Sequence, residues 1–153
     1  MPFVGQAQAV IDAKQRLALP AKFRSRWNPA TDGPTWFCVP WIPDSVLRLY
    51  PEKTFNELFT SGRVRPSLTP SSDRAELEAI LFSATEQLDL DASHRVRLPV
   101  WQLEKLEMPR EVMILGAGDR LEIRPRDAWD ERFNKGLAAL DALAARLDRE
   151  RDD

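Results

Sequence analysis

The sequence predicts a mixed α+β fold in which one unit of strands and short helices is made twice. Three observations carry that expectation. Residues 11–20, IDAKQRLALP, return as LDASHRVRLP at residues 90–99, an offset of 79 with five identities in ten positions, and internal repetition of this kind marks a duplicated supersecondary unit. Stretches that alternate apolar and polar residues, the signature of half-buried strands, recur in both halves between short segments led by proline. The composition, 43% hydrophobic and 30% charged over 153 residues, is that of a soluble folded chain, long enough for one ordinary domain or two small ones sharing a core.

Taken in order, Phe3 to Ile11 alternates and reads as a strand. Asp12-x-x-x-Arg16 is short and polar, and suits a turn whose Asp bonds its own backbone two residues on. Leu17 to Leu19 is a short strand, and Pro20 stands at the first position of a short helix, AKFRSRW, where its missing amide costs nothing. Thr35 to Ile42 and Val46 to Tyr50 read as strands, and YPEKTFNELF, from Tyr50, as a helix. The second half repeats the order: strand Ala84 to Leu90, turn Asp91 to Arg95, strand Val96 to Leu98, then Pro99 and the helix VWQLEKLEM. Strands Glu111 to Leu115 and Arg120 to Arg124 follow, joined by a turn over Gly116 to Asp119, and the helix RPRDAWDERF closes the unit. Pro51 matches Pro125 and Phe55 matches Trp129 at an offset of only 74, so the first half carries a longer connection around Asn28 to Pro34.

The two units are expected at residues 3–61 and 83–133. Between them, residues 62–82 hold a linker rich in Pro and Ser, GRVRPSLTPSS, and a helix from Asp73 to Phe82 capped by Ser72. Residues 134–153 form a C-terminal helix and a charged tail. Beyond Asp127 the last helix is amphipathic: Trp129, Phe133, Leu137, Leu140, Leu143 and Leu147 recur at steps of three and four, a stripe that suits packing on its own protomer or a subunit interface equally well.

Catalytic chemistry finds little footing. The single His94 lies in a polar turn with no nucleophile beside it. Asp12 and Asp91 are turn residues before they are paired acids. Gly116-Ala117-Gly118 lacks the remainder of a phosphate loop. One Cys and one His in the whole chain supply neither a disulfide nor a zinc site, and Cys38, between Phe37 and Val39, reads as a buried inert thiol. The expectation is a protein that is not an enzyme and carries no cofactor. The N-terminal segment has no basic start followed by an apolar run, and no apolar stretch approaches a membrane span. A reduced, cytoplasmic protein without membrane contact follows.

The formal net charge of −2 excludes a basic-tail mode of nucleic-acid binding. Split by region, however, residues 1–50 hold six Lys/Arg against three Asp, whereas residues 81–153 hold 12 bases against 16 acids. The basic excess gathers on the first turn, with Lys14 and Arg16, and on the helix after it, with Lys22, Arg24 and Arg26. An Arg on a projecting turn can read guanine edges in a groove of DNA or grip phosphate; the competing reading is an Arg that only pairs locally with Asp12.

Two copies of Asp-x-x-x-Arg-apolar-x-Leu-Pro, the first continuing AKFR and the second followed by EVMILGAGDRLEIRPRDAWDE, resemble the MraZ family from about Phe3 to Phe133. Those proteins are transcriptional regulators of the bacterial division and cell-wall gene cluster, and single copies of the motif occur in AbrB-type and MazE-type DNA-binding modules. The resemblance implies a double-split β-barrel built from two tandem swapped-hairpin repeats. It also implies a ring-shaped homo-oligomer, nucleoid association, and binding to direct repeats in double-stranded promoter DNA. By position Lys14, Arg16 and Arg95 match the motif's basic residues, and Arg97 adds to the second tip. The family's usual Gly is replaced by Gln15 and His94, and its second-copy Lys by Ala92. Because Gly there suits positive φ, each replacement either strains the turn or changes its type. The weaker second tip motivates an alternative on the same fold, an oligomeric scaffold with decayed DNA binding. An antitoxin-like role fits less well, because the charged end after Arg146 is short for a toxin-binding tail.

Overall fold

The computed structural model describes residues 2–60 and 71–152. Along them run β1 (Gln6–Val10), β2 (Arg16–Ala18), α1 (Ala21–Arg24), α2 (Pro29–Asp32), β3 (Thr35–Trp41), β4 (Val46–Pro51), α3 (Glu52–Thr60), α4 (Ser72–Ala84), β5 (Glu86–Asp89), β6 (Arg95–Arg97), α5 (Val100–Leu106), β7 (Glu111–Gly116), β8 (Leu121–Pro125), α6 (Arg126–Ala138) and α7 (Leu140–Asp152). The class is mixed α and β, with antiparallel strand pairing throughout these elements. The repeated order of elements agrees with the one expected from the sequence, and the longer connection of the first half holds α2.

The strands form a six-stranded sheet in the order β1-β7-β8-β4-β3-β5 and a separate two-stranded ribbon, β2-β6. Among the described strands only β3·β4 and β7·β8 pair within a half, apart from an isolated bridge between Leu90 and Val96. Every other pair joins the halves: β1 with β7, β5 with β3, β4 with β8 and β2 with β6. Neither half therefore completes its backbone hydrogen bonds without the other, and an unpaired buried strand edge is costly.

One face of the sheet makes the core. Trp36, Cys38, Leu47, Leu49, Ile114, Leu121 and Ile123 lie there fully buried, together with Leu17 and Val96 from the ribbon. Burial of each such side chain contributes about 1.5–3 kcal/mol relative to exposure, so this shared cluster binds the halves together. Cys38 is buried as expected, and burial pushes its thiol well above the ordinary range. Its Sγ donates to Gln102 Oε1 at 3.0 Å, while Gln102 Nε2 donates to the carbonyls of Cys38 (3.3 Å) and Ala84 (2.8 Å). This fully buried amide pins α5, from the second half, to β3 of the first.

The other face carries charge. Glu122 on β8 is almost completely buried, and it accepts hydrogen bonds from Arg124 (2.8 Å, Nη2) and Arg120 (2.9 Å, Nε) with Arg48 3.8 Å away. Burial pushes its carboxyl up, but the Arg124 hydrogen bonds and the charges of Arg124 and Arg120 outweigh that and leave it below its ordinary value of 4.5. Arg124 also lies 5.0 Å from the ring of Trp129, which seats α6 on this face.

Several local expectations change. Pro20, Pro99 and Pro125 are N-caps rather than first helical residues, with extended ψ of 148°, 127° and 130°; a proline has no amide to lose at either position, and the extended ψ lets the chain enter from a strand. Ser71, not Ser72, caps α4 by accepting the amide of Arg74 at 3.2 Å. Of the expected linker, residues 62–70 lie outside the described residues. The expected single C-terminal helix is two, broken at Ala139 (φ −109°, ψ 15°), where Gly136 in the preceding turn is a weak helix former. The stripe divides accordingly. Trp129 and Phe133 pack partly against the sheet, while Leu137, Leu140, Leu143 and Leu147 stay exposed. The charged end after Arg146 continues as helix to Asp152. No helix among the described residues is long and apolar enough to cross a membrane.

Two predictions follow from these buried polar groups. Gln102→Leu removes the buried amide that donates to the carbonyls of Cys38 and Ala84 and accepts from the Cys38 thiol, and lowers unfolding stability by about 1–3 kcal/mol, read as a lower denaturant midpoint. A carboxylate whose pKa is depressed in the fold adds stability that is present above its unfolded pKa and fades as pH falls through the lower folded one. Stability of the unaltered chain therefore declines as pH drops below about 4.5, and Glu122→Gln makes that decline shallower while costing stability at pH 7.

Candidate nucleic-acid interface

Each Asp-x-x-x-Arg segment folds into the same small structure. Asp12 Oδ1 accepts the amides of Lys14 (2.9 Å) and Arg16 (2.8 Å), and Asp91 Oδ1 accepts those of Ser93 (2.8 Å) and Arg95 (3.0 Å). The bond two residues on is the one expected of a turn Asp. The second carboxylate oxygen of each Asp takes the Nε of the motif's own arginine, Arg16 at 2.9 Å and Arg95 at 3.0 Å. The backbone amide of Arg16 leads the effects that hold Asp12 below its ordinary 3.8, ahead of the Lys14 amide and the Arg16 side chain and against some opposing burial. Asp91 is lowered in the same way, first by the Arg95 amide. Both carboxylates are thus committed to shaping the turn and to fixing a guanidinium.

Gln15 and His94 sit at the same point of their turns in the left-handed region, φ 61° and 60°. The turn type is preserved and the strain is accepted. Their carbonyls are then spent across the repeat: Leu98 N donates to Gln15 O at 2.8 Å and Leu19 N to His94 O at 3.0 Å. The two turns clasp each other, and β2 and β6 emerge paired, with Arg16 opposite Arg97, Leu17 opposite Val96 and Ala18 opposite Arg95.

Strand alternation sorts these side chains. Leu17 and Val96 go into the core. Arg16, Ala18, Arg95 and Arg97 share the outer side of the ribbon, with Lys14 exposed at the first tip. Arg95 Nη1 comes within 4.0 Å of Asp12 Oδ2, and Arg97 Nε donates to the carbonyl of Lys14 at 3.3 Å, so the first half steadies cations of the second. Sequence spacing within one motif carries no trace of these contacts; only the pairing of the two copies creates them. The local pairing of Arg16 with Asp12 does form, yet it engages one edge of the guanidinium and sets its direction. Four cations stand here against two carboxylates.

Lys22 and Arg24 are placed differently. Lys22 donates to the carbonyl of Gln6, and Arg24 Nε donates to the carbonyl of Leu19 at 2.9 Å. Both brace the backbone around α1, and Arg26 similarly reaches the carbonyl of Pro2 at 3.3 Å. Among the described residues no cluster of three His, Cys, Asp or Glu side chains can hold a metal ion.

The family model described as "MraZ protein, putative antitoxin-like" matches residues 81–150. A protein of Saccharophagus degradans named transcriptional regulator MraZ is 30% identical over 127 residues, covering 83% of this chain and 84% of its own length. Proteins of the same name from Heliobacterium modesticaldum and Pseudomonas fluorescens are 28% and 29% identical over 145 and 150 residues, with 95% and 98% of this chain covered and 96% and 97% of the relatives. Twin motifs folded into one clasp, and relatives that match from end to end, have one source: the chain belongs to the MraZ family.

Proposed function

We propose that this protein is a sequence-specific DNA-binding transcriptional regulator that docks the β2-β6 ribbon in the major groove of promoter DNA. The observation that carries the reading is the register of the ribbon, which sets Arg16 opposite Arg97. Like charges directly opposite on a strand pair are destabilising. An anionic ligand converts that cost into binding energy, and the major groove admits a two-stranded ribbon. Arg16 and Arg95, held by their Asp partners, read base edges or phosphate; Lys14 and Arg97 contact phosphate; Lys22 and Arg24 support the backbone that carries the first tip. The relatives are named transcriptional regulators, and the regulated genes, as the family resemblance implies, are those of the division and cell-wall cluster.

The exchange of β2 and β6 between halves supports the double-split, swapped-hairpin barrel reading of the fold. Function on direct repeats follows if copies assemble into a ring and present several ribbons at once, because linked weak contacts gain avidity without any single tight one. The protein then resides in the cytoplasm at the nucleoid. A second reading, an oligomeric scaffold with weakened DNA binding, draws on the exposed leucines of α6 and α7.

Arg16→Ala is expected to weaken binding to cluster promoter DNA on the order of tenfold and to lower the salt slope by about one unit, measured by band shifts at several ionic strengths. Arg26→Ala, away from the ribbon, leaves both unchanged. Absence of any shift by the unaltered chain at low ionic strength supports the scaffold reading instead.

A further inference from the structure

The two turns share one backbone but differ in what they present. Lys14, Gln15 and Arg16 occupy the first tip where Ser93, His94 and Arg95 occupy the second, and Ala18 is replaced by Arg97 on the adjoining strand. Gln15 and His94 both hold left-handed backbone, at φ 61° and 60°, a conformation in which glycine is free of strain and a larger side chain is not. Neither side chain supplies the clasp between the turns, which uses only their carbonyls. Gln15 Nε2 donates to the carbonyl of Ala13 at 3.1 Å, which fixes the amide over its own turn. That leaves a second N–H of the side-chain amide and its Oε1 without a protein hydrogen bond among the described residues. The His94 ring is exposed and makes no hydrogen bond among them. Strain is thus borne at equivalent positions of the two turns, Gln15 half-exposed beside α5 and His94 exposed, by side chains that contribute nothing to the clasp.

Their chemistry is that of base readers. A primary amide matches the N6 donor and N7 acceptor of adenine in the major groove. An imidazole N–H matches the N7 or O6 acceptor of guanine. Resting on the DNA-binding reading above, we propose that Gln15 and His94 are specificity-determining residues, Gln15 for an adenine and His94 for a guanine. The pseudo-symmetric ribbon thereby reads two unlike half-sites.

Selection of duplexes from a randomised pool by the full chain, Gln15→Gly and His94→Gly tests this. Glycine suits the backbone at both positions, so the variants are expected to unfold at the same temperature or higher. They keep their affinity for random DNA and their salt slope, and each loses about tenfold in preference at one base position, adenine for Gln15 and guanine for His94. Gln15→Asn and His94→Asn, also tolerated in left-handed backbone, replace them if glycine loosens the turns. A purely structural role would change affinity for all sequences alike. Variants that bind with the base preferences of the unaltered chain overturn the proposal. Failure of the unaltered chain to bind any duplex at low salt overturns the DNA-binding reading itself, and this one with it.

Discussion

The reciprocal clasp between the two turns is the constraint on which the rest depends. Leu98 N on Gln15 O and Leu19 N on His94 O join segments 83 and 75 residues apart in sequence. A two-stranded ribbon with three residues per strand does not hold itself together in water. Here the clasp closes one end, the Asp side chains rigidify both turns, and Leu17 and Val96 anchor the inner side in a core drawn from both halves. With the ribbon fixed, β1 and β5 have only the other half's β7 and β3 to pair with, and the interlocked six-stranded sheet follows.

The same arrangement explains how a chain of net charge −2 presents a concentrated cationic surface. Duplication brings two short basic motifs together in space that are far apart in the chain. The acids of the second half are spread along its strands and helices, with those of α6 and α7 exposed and Glu104 and Glu107, at α5, lining a pocket shared with Asp12 and Gln15. Glu122, the most deeply placed of them, is neutralised by arginines on the opposite side of the sheet from the core. At the ribbon, Asp12 and Asp91 are too occupied with turn amides and one guanidinium edge each to cancel four cations. Local rules are broken there in three ways at once: opposed arginines, left-handed Gln15 and left-handed His94. Such violations gather where function is carried and are compensated elsewhere.

Much of this was legible in the residues. Repetition of Asp, Arg, Leu and Pro at one offset showed the duplication, and alternation placed the strands to within two residues except the start of β1, which lies three residues after the expected Phe3. The role of Asp12 and Asp91 in their turns followed from side-chain chemistry alone. Strand partners were a different matter, because period-two alternation says which face is buried and nothing about which strand lies alongside. Arg97 and Arg95 consequently reach the first tip through contacts that no spacing encodes. For Lys22 and Arg24 the spacing of a short basic helix suits phosphate contact or plain solvation alike, and their hydrogen bonds to the carbonyls of Gln6 and Leu19 come only with the tertiary fold. The break at Ala139 was hidden because the leucine spacing runs through it undisturbed.

If the ribbon is one element built by both halves, a DNA duplex must engage both turns together. Hydrogen exchange of the full chain, with and without a promoter duplex at low salt, measures this directly. The account predicts that amides in residues 13–18 and 92–97 slow in parallel on DNA binding, while those of α6 and α7 exchange unchanged. Protection confined to one turn, or appearing on α7 with both turns unaffected, would contradict it.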